Sequence, residues 1–219
     1  DRLMARTQNR PVAQGRVAIH QAIFFAVVLG VTGASGAPYT IRLLRLLLEH
    51  EVEVHLTVSD YGKRLLFEES DIRKVDADGL GVSEFDSQLF VHSDRDLGSL
   101  IASGTFVHDG MIVLPCSSNT LGAIAGGITN TLVQRAAMVT LKEGRRLVLA
   151  HRESPLGHID LKNMTTVTQA GALVAPLSPG FYMNPKTIDD LVDFMVGKLA
   201  DLILLEHGLP VRWNQPIHT

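Results

Sequence analysis

The sequence predicts an α/β protein, a single domain built on a doubly wound, Rossmann- or flavodoxin-like parallel sheet. Three observations carry this prediction. Apolar, β-branched runs alternate with amphipathic helical patterns along nearly the whole chain. The run Val27-Val28-Leu29-Gly30-Val31 ends in the turn Thr32-Gly33-Ala34-Ser35-Gly36 and continues into Ile41, Leu44, Leu47 and Leu48, which reads as buried strand, phosphate-sized loop and helix. The same design returns at residues 111–115, an apolar strand followed by Cys116-Ser117-Ser118-Asn119-Thr120 and a small-residue helix over 121–127. In such sheets ligands bind at the carboxyl ends of the strands.

In the first unit, Gly33 and Gly36 let the backbone approach an anion, and Ser35 offers a hydroxyl beside the first-turn amides. Pro38 suits a helix start because it has no N–H to leave unpaired. By itself the turn also fits an ordinary tight strand-to-helix connection, since its glycine spacing is neither the dinucleotide nor the Walker pattern. Residues 52–58 alternate and form a second strand ending at Ser59-Asp60. Residues 61–70 read as a helix with Leu65 and Leu66 inward and Glu68 and Glu69 near its end; residues 71–87, charged and aperiodic, read as a surface excursion. Residues 96–104 suggest a short helix that breaks at Gly104. Asn130 is the expected cap of a helix that carries Arg135 and Lys142 two turns apart on one face. Residues 146–150 are a strand, 159–170 a helix, 172–177 a strand and 178–185 a rigid loop. The last helix begins at Thr187, with Asp189 and Asp190 at its positive end and Ile188, Leu191, Val192, Met195, Leu199 and Leu202 on one stripe.

With 46% of 219 residues apolar and 20% charged, the chain buries a sizeable core as one domain. A formal net charge of -3 without a long basic run argues against nucleic acid as the partner. The single cysteine, Cys116, excludes an intrachain disulfide and fits a reducing compartment, so a cytoplasmic location is expected. Arg2, Arg6, Arg10 and Arg16 ahead of an apolar stretch imitate a signal peptide, but cleavage there would destroy the first strand. The stretch is also shorter than the roughly twenty residues of a membrane span. Residues 1–23 are therefore read as a flexible leader, 24–208 as the domain and 209–219 as a C-terminal tail. An organelle-targeting role for the Arg-rich leader is weakened by its lack of serine.

Residues 32–36, 59–60, 117–120 and 152–153 converge at the carboxyl ends of the strands. Three hydroxyl-bearing loops and an arginine suit a phosphorylated cofactor better than an apolar ligand. No histidine or carboxylate spacing suggests a metal; His50, His55, His151 and His158 read as surface residues. Cys116 reads as a core thiol because no sequence-local base accompanies it.

Five motifs stand in order over residues 24–208: Thr32-Gly33-Ala34-Ser35-Gly36; Pro115-Cys116-Ser117-Ser118-Asn119-Thr120-Leu121; Arg135-Ala136-Ala137 with Leu141-Lys142-Glu143; Arg152-Glu153-Ser154-Pro155; and Pro179-Gly180-Phe181-Tyr182. In this series the sequence resembles the UbiX-type flavin prenyltransferases. The resemblance implies a subunit that binds reduced FMN and dimethylallyl phosphate, joins the isoprenyl unit to flavin N5 and C6, and releases prenylated FMN for a UbiD-type decarboxylase. It further implies no metal and a homo-oligomer, commonly a dodecamer, with active sites where subunits meet.

Position by position, the resemblance implies that Gly33, Ala34 and Ser35 hold the flavin, with Ser59, Ser117, Ser118, Asn119, Thr120 and Arg152 completing its phosphate and ring contacts. Ser103 and Gly104 match a loop over the prenyl pocket, and Arg135, Tyr182 and Lys198 bind dimethylallyl phosphate. Ser35, Glu69, Lys142 and Glu153 form the implied catalytic set. Breaking an allylic carbon–oxygen bond builds negative charge on phosphate, which Lys142 clamps and to which Glu153 passes a proton; Glu69 or the retained phosphate takes the C6 proton. Lys198 stands where the family carries Arg, which keeps the charge and loses a bidentate fork, and Leu97 stands where some relatives have an aromatic. Three other readings share the fold: a flavin-dependent decarboxylase of cysteine-containing substrates with His92 as its histidine, an NAD-dependent enzyme using Asp60 on the ribose, and a non-catalytic flavin carrier. The glycine spacing disfavours the second, and Arg152-Glu153 with Phe181-Tyr182 favours the prenyltransferase over the first.

Overall fold

Strands β1 (Ala26–Val31), β2 (Glu53–Val58), β3 (Leu89–Ser93), β4 (Gly110–Cys116), β5 (Arg146–His151) and β6 (Leu173–Val174) form one sheet in the order β3-β2-β1-β4-β5-β6. Every neighbouring pair is parallel. The computed structural model describes residues 26–209, so the expected leader at 1–23 and all but the first residue of the expected tail lie outside the described residues. The helices are α1 (Ala37–Glu49), α2 (Asp60–Ser70), α3 (Ser118–Ala125), α4 (Leu132–Lys142), α5 (His158–Gln169) and α6 (Ile188–Leu202). The strand order reverses between β1 and β4, the switch point at which doubly wound sheets open a crevice.

Both faces of the sheet are covered, which is why β1 and β4 read as continuous apolar runs. Successive side chains of β4 feed two cores in turn: Ile112 and Leu114 pack with Leu44, Leu47, Leu56 and Val196 on one face. Met111 and Val113 pack with Leu121, Ala136 and Leu149 on the other. The α/β doubly wound reading holds.

Several elements differ from expectation. Residues 71–87 bury Ile72, Ala77, Leu80 and Val82 in the first core and end in a 3₁₀ stretch, Ser83–Gln88. The excursion is thus part of the core, held by too few apolar residues to show a period. Strand β3 went unread because it lies at the sheet edge with Phe90 and Val91 exposed, so its sequence carries no buried alternation. Only a 3₁₀ turn, Leu100–Ala102, forms within 96–104. Thr131, not Asn130, caps α4: its hydroxyl accepts from Gln134 N, and the Gln134 side chain accepts from Thr131 N. On α2, Leu66 is buried and Leu65 only partly so, and on α6 Ile188 is 76% exposed while Val192, Met195 and Leu199 face inward. His55 and His151, expected at the surface, are buried. Cys116 is fully buried, and burial pushes its thiol up to about 12, which leaves it an inert core group.

His108, at the entrance to β4, is buried beside the Gly110 carbonyl, to which its Nδ1 donates at 3.0 Å. Burial lowers its pKa from 6.5 to about 4. The unfolded chain therefore takes up a proton that the folded chain refuses, so this stability is fully present above about pH 6.5 and is lost as pH falls toward about 4. The cost over that window is about 3 kcal/mol. Urea unfolding across the window should show this loss, and His108→Asn, which keeps a donor for Gly110 but cannot titrate, should flatten it. An unchanged acid limb in His108→Asn would remove His108 from the account.

Candidate active site

Thr32 joins the two strands that border the crevice. Its hydroxyl donates to the Pro115 carbonyl at 2.8 Å and accepts from Ser117 N at 2.9 Å. Its own N–H donates to Pro115 O at 3.2 Å. The loop after β1 is thereby fixed to the loop after β4. Gly33 lies against α2, where a Cβ would come within 2.4 Å of Tyr61 Cβ, and Gly36 has φ +142°, a conformation that favours glycine. Ser35 and Ala34 are partly exposed between them.

Ser59 and Ser117 are helix caps. Ser59 Oγ accepts from Gly62 N at 3.0 Å, and Ser117 Oγ accepts from Thr120 N at 3.3 Å while donating to the Thr120 hydroxyl at 3.2 Å. Ser118 and Asn119 open α3, where helix geometry leaves their amides pointing outward. Arg152 N donates to Cys116 O at 3.2 Å, which puts the exposed Arg152 and Glu153 side chains beside that helix start. Glu153 accepts from Ser154 N at 3.0 Å and from the Ser118 hydroxyl at 3.4 Å. Ser118 and the Gly157 amide also hold Asp160 below the usual carboxylate range.

Glu69 occupies a place the sequence assigned to an anion. Its Oε2 accepts from Gly36 N at 2.9 Å and from Ala37 N at 2.8 Å, so the start of α1 is satisfied by a carboxylate from the end of α2. The open helix start at the crevice is that of α3.

The remaining residues fall into two groups away from this cradle. Arg135, Lys142, Ser103 and Gly104 gather where α4 meets the loop before β4. Arg135 Nε makes a long 3.5 Å contact to Ala102 O, and a Cβ on Gly104 would meet Glu143 Oε1 at 2.2 Å and Lys142 Nζ at 3.0 Å. Lys142 is paired with Glu143 at 2.6 Å, an exposed pair that competing anions can open. This pairing holds Glu143 below the usual carboxylate range. Lys142 ends α4 just before β5, whose first residue Arg146 pairs with Gly110 at the amino edge of the sheet. The cradle lies at the carboxyl edge, across strands of roughly 20 Å. One chain therefore does not bring Lys142 to Ser35. Tyr182 and Lys198 form the third group: the Tyr182 ring meets Phe194 edge-on at 5.5 Å, and Lys198 follows Phe194 by one turn on the same face of α6.

The Flavoprotein family matches residues 21–200. A flavin prenyltransferase UbiX of Thermoplasma acidophilum is 43% identical over 189 residues, spanning 85% of this chain and 99% of that protein. The chain belongs to the UbiX-type flavin prenyltransferases within that family. Two solved structures agree. AnUbiX (PadA1), crystallised in complex with FMN and dimethylallyl pyrophosphate, is 40% identical with a TM-score of 0.80, covering 88% of this chain and 98% of its own. A dodecameric FMN-dependent Ubix-like decarboxylase from Escherichia coli O157:H7 is 40% identical with a TM-score of 0.79, covering 87% of this chain and 100% of its own.

Within this family the cysteine-decarboxylase reading loses its histidine. His92 lies on β3 with its Nε2 at 2.9 Å from His55 Nδ1 and its Nδ1 at 2.9 Å from Ser99 Oγ, so neither nitrogen is open to a substrate. Asp60 is paired with Arg95 at 2.6 Å in an exposed contact. Sequence reasoning missed Arg145, whose guanidinium donates to Phe106 O and Gly104 O, both at 2.7 Å, and so fixes the loop that bears Ser103. It also missed Thr32 as a structural bridge, because a threonine after a strand gives no sign of a partner 83 residues away.

Thr32→Val should lower stability by about 2–4 kcal/mol, because it leaves Ser117 N and part of the Pro115 carbonyl's bonding unmet in a buried place. Thr32→Ser, which keeps the hydroxyl, should recover most of that loss in chemical denaturation. Equal stability of Thr32→Val and the parent would remove the bridge from the account.

Proposed function

We propose that the chain transfers a dimethylallyl group from dimethylallyl phosphate to reduced FMN and releases prenylated FMN, serving a UbiD-type decarboxylase in the cytoplasm. The observation that carries the reading is the cradle at the β1–β4 switch point, with an open helix start at Ser118 and Asn119 flanked by Ser59 and Arg152. It fits a flavin phosphate: the outward amides and hydroxyl hydrogens supply donors and Arg152 supplies charge. Thr120 and Ser117 stiffen this helix start, while Gly33, Ala34 and Ser35 line the ring side. Reduced flavin, when bound, would supply the electron-rich N5 and C6 that bond to the allyl group, each losing a proton, one matched by the proton on the departing phosphate and one by a proton added at the central allyl carbon.

The other residues act on the donor. Tyr182 and Lys198 bind the phosphate, and Arg135 and Lys142 stabilise the charge that grows on it as the carbon–oxygen bond stretches. Glu153 passes a proton to the departing phosphate with Ser118 beside it. Glu69 holds the start of α1 in position beside the Ser35 turn and is the acceptor for the C6 proton in this reading. Ser103 and Gly104 close over the prenyl pocket.

Because Lys142 lies at the other edge of its own sheet, a neighbouring copy delivers it to the cradle, and a homo-oligomer, a dodecamer as in the Escherichia coli neighbour, meets that need. Exposed Ile159 (74%), Phe181 (72%) and Ile188 (76%) give the chain apolar surface for such contacts.

The test is anaerobic incubation with reduced FMN and either dimethylallyl phosphate or its pyrophosphate, followed by mass analysis of the flavin. A gain of one isoprenyl unit is expected. An unchanged flavin mass with firm FMN binding would support a carrier instead. Lys142→Met should retain FMN and lower single-turnover prenylation by about tenfold to a thousandfold, as loss of one charge-stabilising contact does. Ser35→Asp should abolish FMN retention without unfolding the chain, because it sets added bulk and an uncompensated negative charge against the flavin ring. Prenylation by Lys142→Met at the parent rate would exclude Lys142 from the clamp.

A further inference from the structure

Outside the cradle, four polar side chains form an unbroken line across the β2–β3 edge. Glu53 Oε1 lies 2.8 Å from His55 Nε2, His55 Nδ1 lies 2.9 Å from His92 Nε2, and His92 Nδ1 lies 2.9 Å from Ser99 Oγ. His55 and Ser99 are buried, and the His55 ring is enclosed by Phe90, stacked at 5.0 Å, and Phe106, edge-on at 4.7 Å. Ser99 immediately precedes the 3₁₀ turn Leu100–Ala102, which packs on α4 and leads into Ser103 and Gly104.

The chemistry of the groups fixes the direction of every bond. An ionised carboxylate only accepts, so His55 carries its proton on Nε2 and presents a lone pair at Nδ1. His92 must then donate from Nε2 and accept at Nδ1, where the Ser99 hydroxyl donates. Both rings are neutral and all three bonds are satisfied. One added proton is accommodated in place: Ser99 passes its hydrogen to His92 Nδ1 as it receives another, His92 passes its Nε2 hydrogen to His55 Nδ1, and the charge rests on His55 beside Glu53. One proton is gained, no heavy atom moves, and Ser99 changes from donor to acceptor. A second proton sets two N–H groups against each other between the rings and breaks the line.

We propose that Glu53, His55, His92 and Ser99 form a positioning relay that holds the Ser103-Gly104 loop on α4 and accepts one proton without rearrangement. The consequence for substrate rests on the prenyltransferase reading, in which that loop covers the prenyl pocket. The line itself does not. From the loop side, Arg145 grips Gly104 O and Phe106 O, so Ser99 and Arg145 pin the segment at its two ends. The surrounding charges are Asp96 near His92, Lys63 and Arg73 across a surface cavity that His92 borders, and His108 with Asp109 and Arg145 beyond Phe106. Burial and the neighbouring His55 lower the His92 pKa, so uptake of the second proton falls on the acid side of the ordinary histidine range.

Imidazole nitrogen NMR of the whole protein tests the polarity directly. At about pH 8 both rings should carry the proton on Nε2, and on acidification His92 should shift its proton to Nδ1 as His55 becomes charged. Hydrogen exchange tests the anchoring: Ser99→Ala should speed amide exchange over residues 99–106 by about tenfold or more, and Ser99→Thr should restore protection. In turnover assays Ser99→Ala should raise KM for dimethylallyl phosphate with kcat within about twofold, because a loosened loop weakens binding without touching the reacting atoms. If no prenylation occurs in the parent, the functional reading fails while the NMR and exchange results still decide the relay. His92 protonated on Nδ1 in the neutral protein, or exchange in Ser99→Ala equal to the parent's, overturns the relay.

Discussion

A single threonine hydroxyl sets the shape of the crevice. Doubly wound sheets diverge where the strand order reverses, and here the two loops that part at that point are tied by Thr32 to the Pro115 carbonyl and the Ser117 amide. The bridge is buried, so it exchanges no bonds with water and costs about 1–3 kcal/mol for each partner left unmet. With the loops fixed, the start of α3 and the Gly33 turn keep one separation. A planar cofactor with a phosphate at one end needs that constancy, because its ring contacts and its phosphate contacts come from different strands. Glu69 completes the frame by satisfying the start of α1, which leaves α3 as the helix that faces an anion.

Charge explains why the rest of the site is placed elsewhere. Arg135, Lys142 and Arg145 sit where α4 meets the loop before β4, while Arg152 is the cation at the cradle. Concentrating all of them in one monomeric cleft would set like charges together before substrate arrives. Two of them are satisfied locally, Lys142 by Glu143 and Arg145 by hydrogen bonds to loop carbonyls. Under the proposed function Lys142 exchanges Glu143 for the phosphate when copies assemble, and the exposed apolar side chains of α5 and of the Phe181-Tyr182 loop are available for that contact.

The sequence made the frame and the cradle legible and left the long-range ties hidden. β1, β4 and their turns announce themselves because a buried parallel strand is a run of apolar residues and its turn must be small. The caps at Ser59 and Ser117 are local and were visible as hydroxyls after strands. β3 was invisible because an edge strand with Phe90 and Val91 outward obeys no burial period. Glu69 enters the catalytic set only through the family resemblance, since nothing local tells that a carboxylate near the end of a helix reaches amides 33 and 32 residues earlier. His55 and His92 were read one at a time, as a strand-flanking surface residue and a poor catalytic histidine. Only the parallel pairing of β2 with β3 sets their strands side by side. Motif order pointed to Arg135 and Lys142, but which edge of the sheet they occupy depends on the run of α4 back to β5.

Under the proposed function the cradle and the phosphate clamp are two half-sites on one chain, completed between copies. Mixing tests it most directly. Ser35→Asp disables a cradle and Lys142→Met disables a clamp, so subunits of the two variants, carrying different tags, are co-assembled and the mixed oligomer is isolated. Prenylation of reduced FMN by the mixed oligomer, well above that of either variant alone, is the predicted result, because some junctions then pair an intact cradle with an intact Lys142. Mixed oligomers as inactive as their parents would place both residues in one chain's site and contradict the account.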